Sequence, residues 1–102
     1  LGDTLPAPFG HEGAGTVAAV GEGASGFAVN DRVVFANSAP CGNCFYCHKN
    51  QPNLCEYLNL LNDTYADYLV LPERIVTKNT YHLPDTLSFA QASLTEPLAV
   101  SL

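Results

Sequence analysis

A mostly β domain with short helices, rolled into a partly open barrel or sheet roll, is the fold class this sequence predicts. Short β-branched runs alternate with Gly-, Asn- and Pro-rich turns. Helical patterning is confined to the C-terminal end, from Ser88 onward. Apolar residues make up 47% of the 102 residues and charged residues 14%, a balance too apolar and too weakly charged for a disordered chain. A domain this small buries only about two-thirds of its unfolded surface, so a staple helps it.

The elements follow in order. Residues 1–11 are rich in Pro and Gly and read as irregular. TVAAV at 16–20 reads as a strand, and GEGASGFAVND after it as turns. DRVVF at 31–35 is a second strand, paired with the first as a hairpin or meander. Residues 40–55 hold all four cysteines and read as a loop. TYADYLVL at 64–71, bounded by Asn62-Asp63 and Pro72, is the strongest strand pattern, and RIVTKN at 74–79 a further short strand. Ser88 with Gln91 three residues on is a capping box, and Pro97 interrupts or restarts the helix. No internal repeat, low-complexity tract or linker divides the chain, so residues 1–102 read as one domain. Leu1 and Leu102 read as cuts in a longer protein.

Ten acidic and four basic residues give a net charge of −6. That disfavours nucleic acid and anionic membrane as partners. No apolar run approaches the ~20 residues of a membrane span. Two disulfides packed into one short stretch would need a secretory context, and no signal peptide is visible, so a cytoplasmic location is expected.

Cys41, Cys44, Cys47 and Cys55 are spaced C-x2-C-x2-C-x7-C. Two-residue gaps let a tight loop turn successive sulfurs inward, and the longer arm returns the fourth over a metal. Four thiolates leave zinc no open position, so such a site is structural. The alternatives are buried or redox-active free thiols and an iron–sulfur cluster. The ferredoxin-like C-x2-C-x2-C run lacks the C-P step that follows it in those proteins. His48 adjoins Cys47 as a rival ligand, but four sulfurs fill the shell and His48 reads as a surface residue.

The stretch CGNCFYCHKNQPNLC resembles the structural-zinc lobe of medium-chain zinc-dependent alcohol dehydrogenases. Gly10-His11-Glu12-Gly13-Ala14-Gly15 resembles that family's G-H-E-x-x-G motif. Asp31-Arg32-Val33 resembles its G-D-R-V turn, and Glu96-Pro97-Leu98-Ala99 the E-P-L-A segment of the sorbitol and threonine dehydrogenase branch. The resemblance runs over the whole chain. It implies a GroES-like catalytic-domain fragment, a partly open β-barrel with a zinc lobe at about 40–56. An N-terminal part and a Rossmann domain binding NAD(P) would lie outside it. Asn30 and Asn50 stand where the family usually has Gly, and Asn tolerates the left-handed region.

The resemblance also implies a catalytic zinc held by His11, with Glu12 and Glu96 as acidic ligands or near-ligands. The family's cysteine ligand lies upstream of G-H-E, and no cysteine precedes His11 here, so that site reads as incomplete. Imidazole, carboxylate and the family's thiolate together leave zinc Lewis-acidic with room for an oxygen ligand, able to assist hydride transfer from an alcohol to a nicotinamide. A carboxylate at Glu96, inside the apolar run LTEPLAV, also needs a metal or a basic partner.

Gly21-Glu22-Gly23-Ala24-Ser25-Gly26 matches G-x-G-x-x-G by letter, but a strand-like segment follows instead of a helix. It reads as a turn, and no nucleotide-binding module is expected in the chain. Ser88, Ser93 and Ser101 lack a His–Asp partner. His82 reads as a loop residue, Tyr65, Tyr68 and Phe89 as core, and Arg32 and Arg74 as surface or salt-bridging residues.

The function expected is therefore the zinc-binding catalytic-domain fragment of an NAD(P)-dependent alcohol or polyol dehydrogenase, inactive by itself. The alternative is a non-catalytic structural zinc module. The exposed apolar stretch LTEPLAVSL is expected to drive self-association into a homo-oligomer.

Overall fold

The computed structural model describes residues 9–102, so most of the irregular stretch expected at 1–11 lies outside the described residues. Strands β1 (Gly13–Thr16) and β2 (Arg32–Phe35) form the expected antiparallel hairpin, with Gly13 opposite Phe35 and Thr16 opposite Arg32. The first strand begins earlier than expected and shares only Thr16 with 16–20. The Val17 N–H donates to Asp31 O and the Asn30 N–H to Val17 O, both at 2.8 Å, and these bonds close the ladder. Ala18–Val20 then run out exposed and unpaired. Asn30 takes φ 78° at this closure.

Strand β5 (Thr80–His82) pairs with the other edge of β2, so His82 lies in a strand and not in a loop. Its ring stacks on Phe27 at 4.5 Å, and its Nε2 lies 3.1 Å from Asp31 Oδ2. That oxygen also accepts from the Ala28 N–H at 2.8 Å. The Ala28 N–H, and then His82, hold the Asp31 carboxyl below its ordinary 3.8. A lowered folded-state value gives stability that is present above 3.8 and lost as pH falls through the folded value. Asp31→Asn is expected to flatten the acid limb of a melting-temperature profile while leaving its neutral-to-alkaline side parallel to wild type.

RIVTKN is a helix, α2 (Glu73–Asn79), where a strand was expected from its β-branched content. Pro72 opens it, Glu73 stands in its first turn and Lys78 in its last, as the helix dipole favours. Ile75 on its inner face is wholly buried. The helix packs on β3 (Ser38–Ala39), whose partner is β4 (Asn59–Leu60). The Asn79 side chain donates to Ser38 O at 2.6 Å, and Thr80 Oγ1 to Ile75 O at 2.9 Å, which ends the helix. Phe35, Ala39, Leu61 and Ile75 form the core, with Leu69 and Leu71 packed against it.

Residues 64–71 form no strand. The Thr64 and Tyr65 N–H groups donate to Gly10 and Phe9 carbonyls at 3.2 and 3.0 Å, and no ladder continues. Alternation of faces survives without pairing. Leu69 and Leu71 turn inward, whereas Tyr65, Tyr68 and Val70 are 80%, 82% and 86% exposed. Tyr65 and Tyr68 are therefore not core residues.

Helices α3 (Phe89–Ala92) and α4 (Thr95–Ser101) follow Ser88, which forms the expected capping box. The Gln91 N–H donates to Ser88 Oγ at 3.1 Å, and the Ser88 N–H to Gln91 Oε1 at 3.0 Å. Pro97 is the third residue of α4, where its missing N–H breaks no helical bond. Phe89 is 37% exposed rather than core and lies beneath the Arg32 guanidinium, 4.6 Å from ring centre. Arg32 makes no ion pair among the described residues; it donates to the carbonyls of Leu87 and Pro84. The described residues thus hold a three-stranded sheet, ordered β1-β2-β5, and a two-stranded one, with no closed barrel. No helix among them is long and apolar enough to cross a membrane.

Candidate metal centres

The cysteine lobe folds through local geometry. Gly42 and Asn50 take φ 80° and 59°, which turn the chain on either side of α1 (Phe45–His48). A short 3-10 turn (Pro52–Leu54) then returns it to Cys55. The four sulfurs lie within 4.8 Å of one another, Cys41 to Cys47 at 4.0 Å and Cys44 to Cys47 at 3.6 Å. Tetrahedral zinc at ~2.3 Å from each sulfur needs sulfurs about 3.8 Å apart, so the donor set fits. His48 is exposed and stands outside the group.

Backbone donors surround the sulfurs. Asn43 and Cys44 N–H groups both reach Cys41 Sγ at 3.3 Å. Cys55 Sγ accepts from Cys41 N–H at 3.2 Å and Tyr57 N–H at 3.4 Å. Asn43 N–H holds the Cys41 thiol below its ordinary range. Cys47 and Glu56 N–H groups bring Cys44 down to about 6, while burial pushes Cys47 up to about 11. The lobe thus favours thiolates at some sulfurs and disfavours a full set without a cation.

The second group unites opposite ends of the chain. His11 lies just before β1 and Glu96 in the first turn of α4; α3, packed on β1, brings the two together. His11 Nε2 lies 3.6 Å from Glu96 Oε2, with side chains 46% and 21% exposed. One donor atom each of His11, Glu12 and Glu96 falls within 4.8 Å of the others. This is an oxygen–nitrogen set, and every cysteine of the chain belongs to the lobe. His11 and Glu12 border a cleft of about 420 Å³ that Phe9, Asn62, Thr64 and Tyr65 also line. No sequence motif singled out Asn62, Thr64 or Tyr65 for this cleft, because a cleft depends on how distant segments meet.

Residues 2–85 match the model of the alcohol dehydrogenase GroES-like domain. The chain belongs to that family. Among curated relatives of this GroES-like chain, sorbitol dehydrogenase of Bacillus subtilis is 33% identical, covering 95% of this chain and 28% of its own length. L-threonine 3-dehydrogenase of Coxiella burnetii is 36% identical, covering 92% of this chain and 28% of its own length. Galactitol-1-phosphate dehydrogenase of Escherichia coli superposes with a TM-score of 0.81 at 27% identity, over 96% of this chain and 28% of that one. The chain therefore spans little more than a quarter of these relatives. The stretch Gly21–Gly26 carries turns and bends between β1 and β2, not a strand-to-helix nucleotide loop.

Proposed function

We propose that this GroES-like domain is the zinc-bearing part of the catalytic domain of an NAD(P)-dependent alcohol or polyol dehydrogenase. Residues 1–102 would belong to one domain with a zinc lobe at about 40–56, and the nicotinamide nucleotide would be held by a part of the protein outside this chain. The convergence of His11, Glu12 and Glu96 at the edge of the cleft carries the reading. The lobe cysteines Cys41, Cys44, Cys47 and Cys55 would hold a structural zinc, and the His11 group a catalytic one.

Zinc held at the second site would supply Lewis acidity toward an alcohol oxygen. His11 would offer an imidazole nitrogen and Glu96 a carboxylate oxygen, which lie 3.6 Å apart and converge on one point. Glu12 adds a second carboxylate, which localises positive charge there. Thr64 and Asn62, which also line the cleft, carry hydrogen-bonding side chains suited to the further hydroxyls of a polyol. Four free, clustered thiols suit the reducing cytoplasm, where we place the protein.

The test is metal content and activity of the full-length protein. Two zinc ions per chain and NAD(P)-coupled alcohol oxidation are expected. His11→Ala should remove one zinc and lower kcat/KM at least about a hundredfold. One zinc in wild type, with no alcohol oxidation, would instead identify a non-catalytic structural module.

A further inference from the structure

We infer that α2 is a cationic brace for the thiolate lobe, with Arg74 and Lys78 as its two positioning residues. The two stand four apart on one helix, hence on one face. Each reaches a different arm of the lobe. The Lys78 ammonium lies over Gly42, so near that a Cβ built there would fall 2.8 Å from Nζ. Gly42 is the residue after Cys41 and turns the loop toward Cys44. Arg74 Nη1 donates to Tyr57 O at 2.6 Å, and the Tyr57 N–H in turn donates to Cys55 Sγ. The helix itself is fixed by Ile75, fully buried between the two cations in sequence. The brace is thus anchored in the core and not in the lobe.

Charge makes the arrangement purposeful. Zinc with four thiolates carries a net −2, in a chain already at −6. Only four basic residues exist to offset it. Arg32 is committed to the Leu87 and Pro84 carbonyls. Lys49 lies over the Phe45 ring within the lobe. Arg74 and Lys78 are the remaining two, and both are applied to the lobe from one helix. They lower the electrostatic cost of gathering four thiolates and hold the two ends of the cysteine stretch at a fixed separation.

The inference rests on the reading of the lobe as a zinc site. Its test is competitive chelator titration of the zinc-loaded protein, comparing wild type with Lys78→Gln, Lys78→Arg and Arg74→Gln. Lys78 is exposed, so its exchange spares the core. Lys78→Gln should release the lobe zinc at roughly three- to tenfold lower chelator concentration in low salt, the size expected of one unit charge near a dianionic centre. That gap should shrink in high salt, and Lys78→Arg should restore retention. Arg74→Gln should weaken retention and shift the thiolate-to-metal absorption of the cobalt-substituted protein, because Cys55 loses its fixed neighbour. Equal retention by wild type and both Gln variants at every salt concentration would overturn the inference alone. Wild-type protein that takes no metal at its cysteines would overturn the zinc-site reading first.

Discussion

Cys44→Ser is expected to empty the lobe of zinc and to unfold residues 41–56, while the β1–β2–β5 sheet stays folded. The lobe has almost no apolar core of its own. Cys44 is its one buried side chain, and neither α1 nor the following 3-10 turn buries a residue. Phe45 and Leu54 are 61% and 51% exposed. A four-residue helix is far below the length that is stable alone in water. What orders the segment is convergence of four sulfurs, and a structural zinc contributes about 10–16 kcal/mol of apparent binding free energy to such a fold. Elemental mass spectrometry should show the loss of the lobe zinc. Hydrogen exchange should show lost protection at the His48, Lys49 and Cys55 amides, which bond within the lobe. Retained metal with unchanged protection in the variant would show that three sulfurs suffice. The wild-type site also has a pH sign. Zinc needs thiolates, so affinity rises with pH. Cys44, at about 6, is already ionised at neutrality, whereas Cys47, at about 11, must release its proton to the solvent on binding. Retention should therefore fall as pH drops through the neutral range, because Cys47 must lose its proton to bind, and fall more steeply below about 6, where Cys44 is protonated as well.

Local chemistry was legible in the sequence; long-range encounters were not. The cysteine spacing, the Ser88–Gln91 box and the turn at Asn30 each depend on residues a few positions apart, and each appears where expected. Residues 74–79 show the limit. Their Ile, Val and Thr favour a strand, but Pro72 opens a helix, and burial of Ile75 against Ala39 and Phe35 decides the matter. That misreading also hid the Arg74–Lys78 face, since residues four apart share a face in both conformations but reach different neighbours. Residues 64–71 keep the alternation of a strand because Leu69 and Leu71 face the core, yet a strand exists only where a partner ladder does, and none lies beside this segment among the described residues. The meeting of His11 with Glu96 is the extreme case. The apolar run around Glu96 calls for a metal or basic partner without naming it, and only resemblance of two separated motifs to one family linked it to His11 before the fold did.

Gly13→Val is expected to cost about 1–3 kcal/mol, or roughly 4–8 °C of melting temperature per kcal/mol in a domain of this size. The reason is room, not backbone freedom. A Cβ at Gly13 would run into the Phe35 ring and come 2.8 Å from Thr64 Cγ2. Phe35 cannot retreat easily. It is 7% exposed, pairs directly opposite Gly13, and is held on its other side by Thr80 of β5. Gly15, on the same strand and two residues on, meets nothing within 4 Å, so Gly15→Ala serves as the control and should change stability by less than about 0.5 kcal/mol. The cost should also reach the metal site. Gly13 follows Glu12 directly, and Thr64 is held to Gly10 by its N–H, so a wedge between Phe35 and Thr64 shifts the lining of the cleft that His11 and Glu12 border. Calorimetry together with metal counting separates the two effects. Lower stability with loss of only the second zinc is the expected pattern. A Gly13 variant as stable as the Gly15 variant would mean that the Phe35 ring swings aside at little cost, and that β1 is packed more loosely than its register implies.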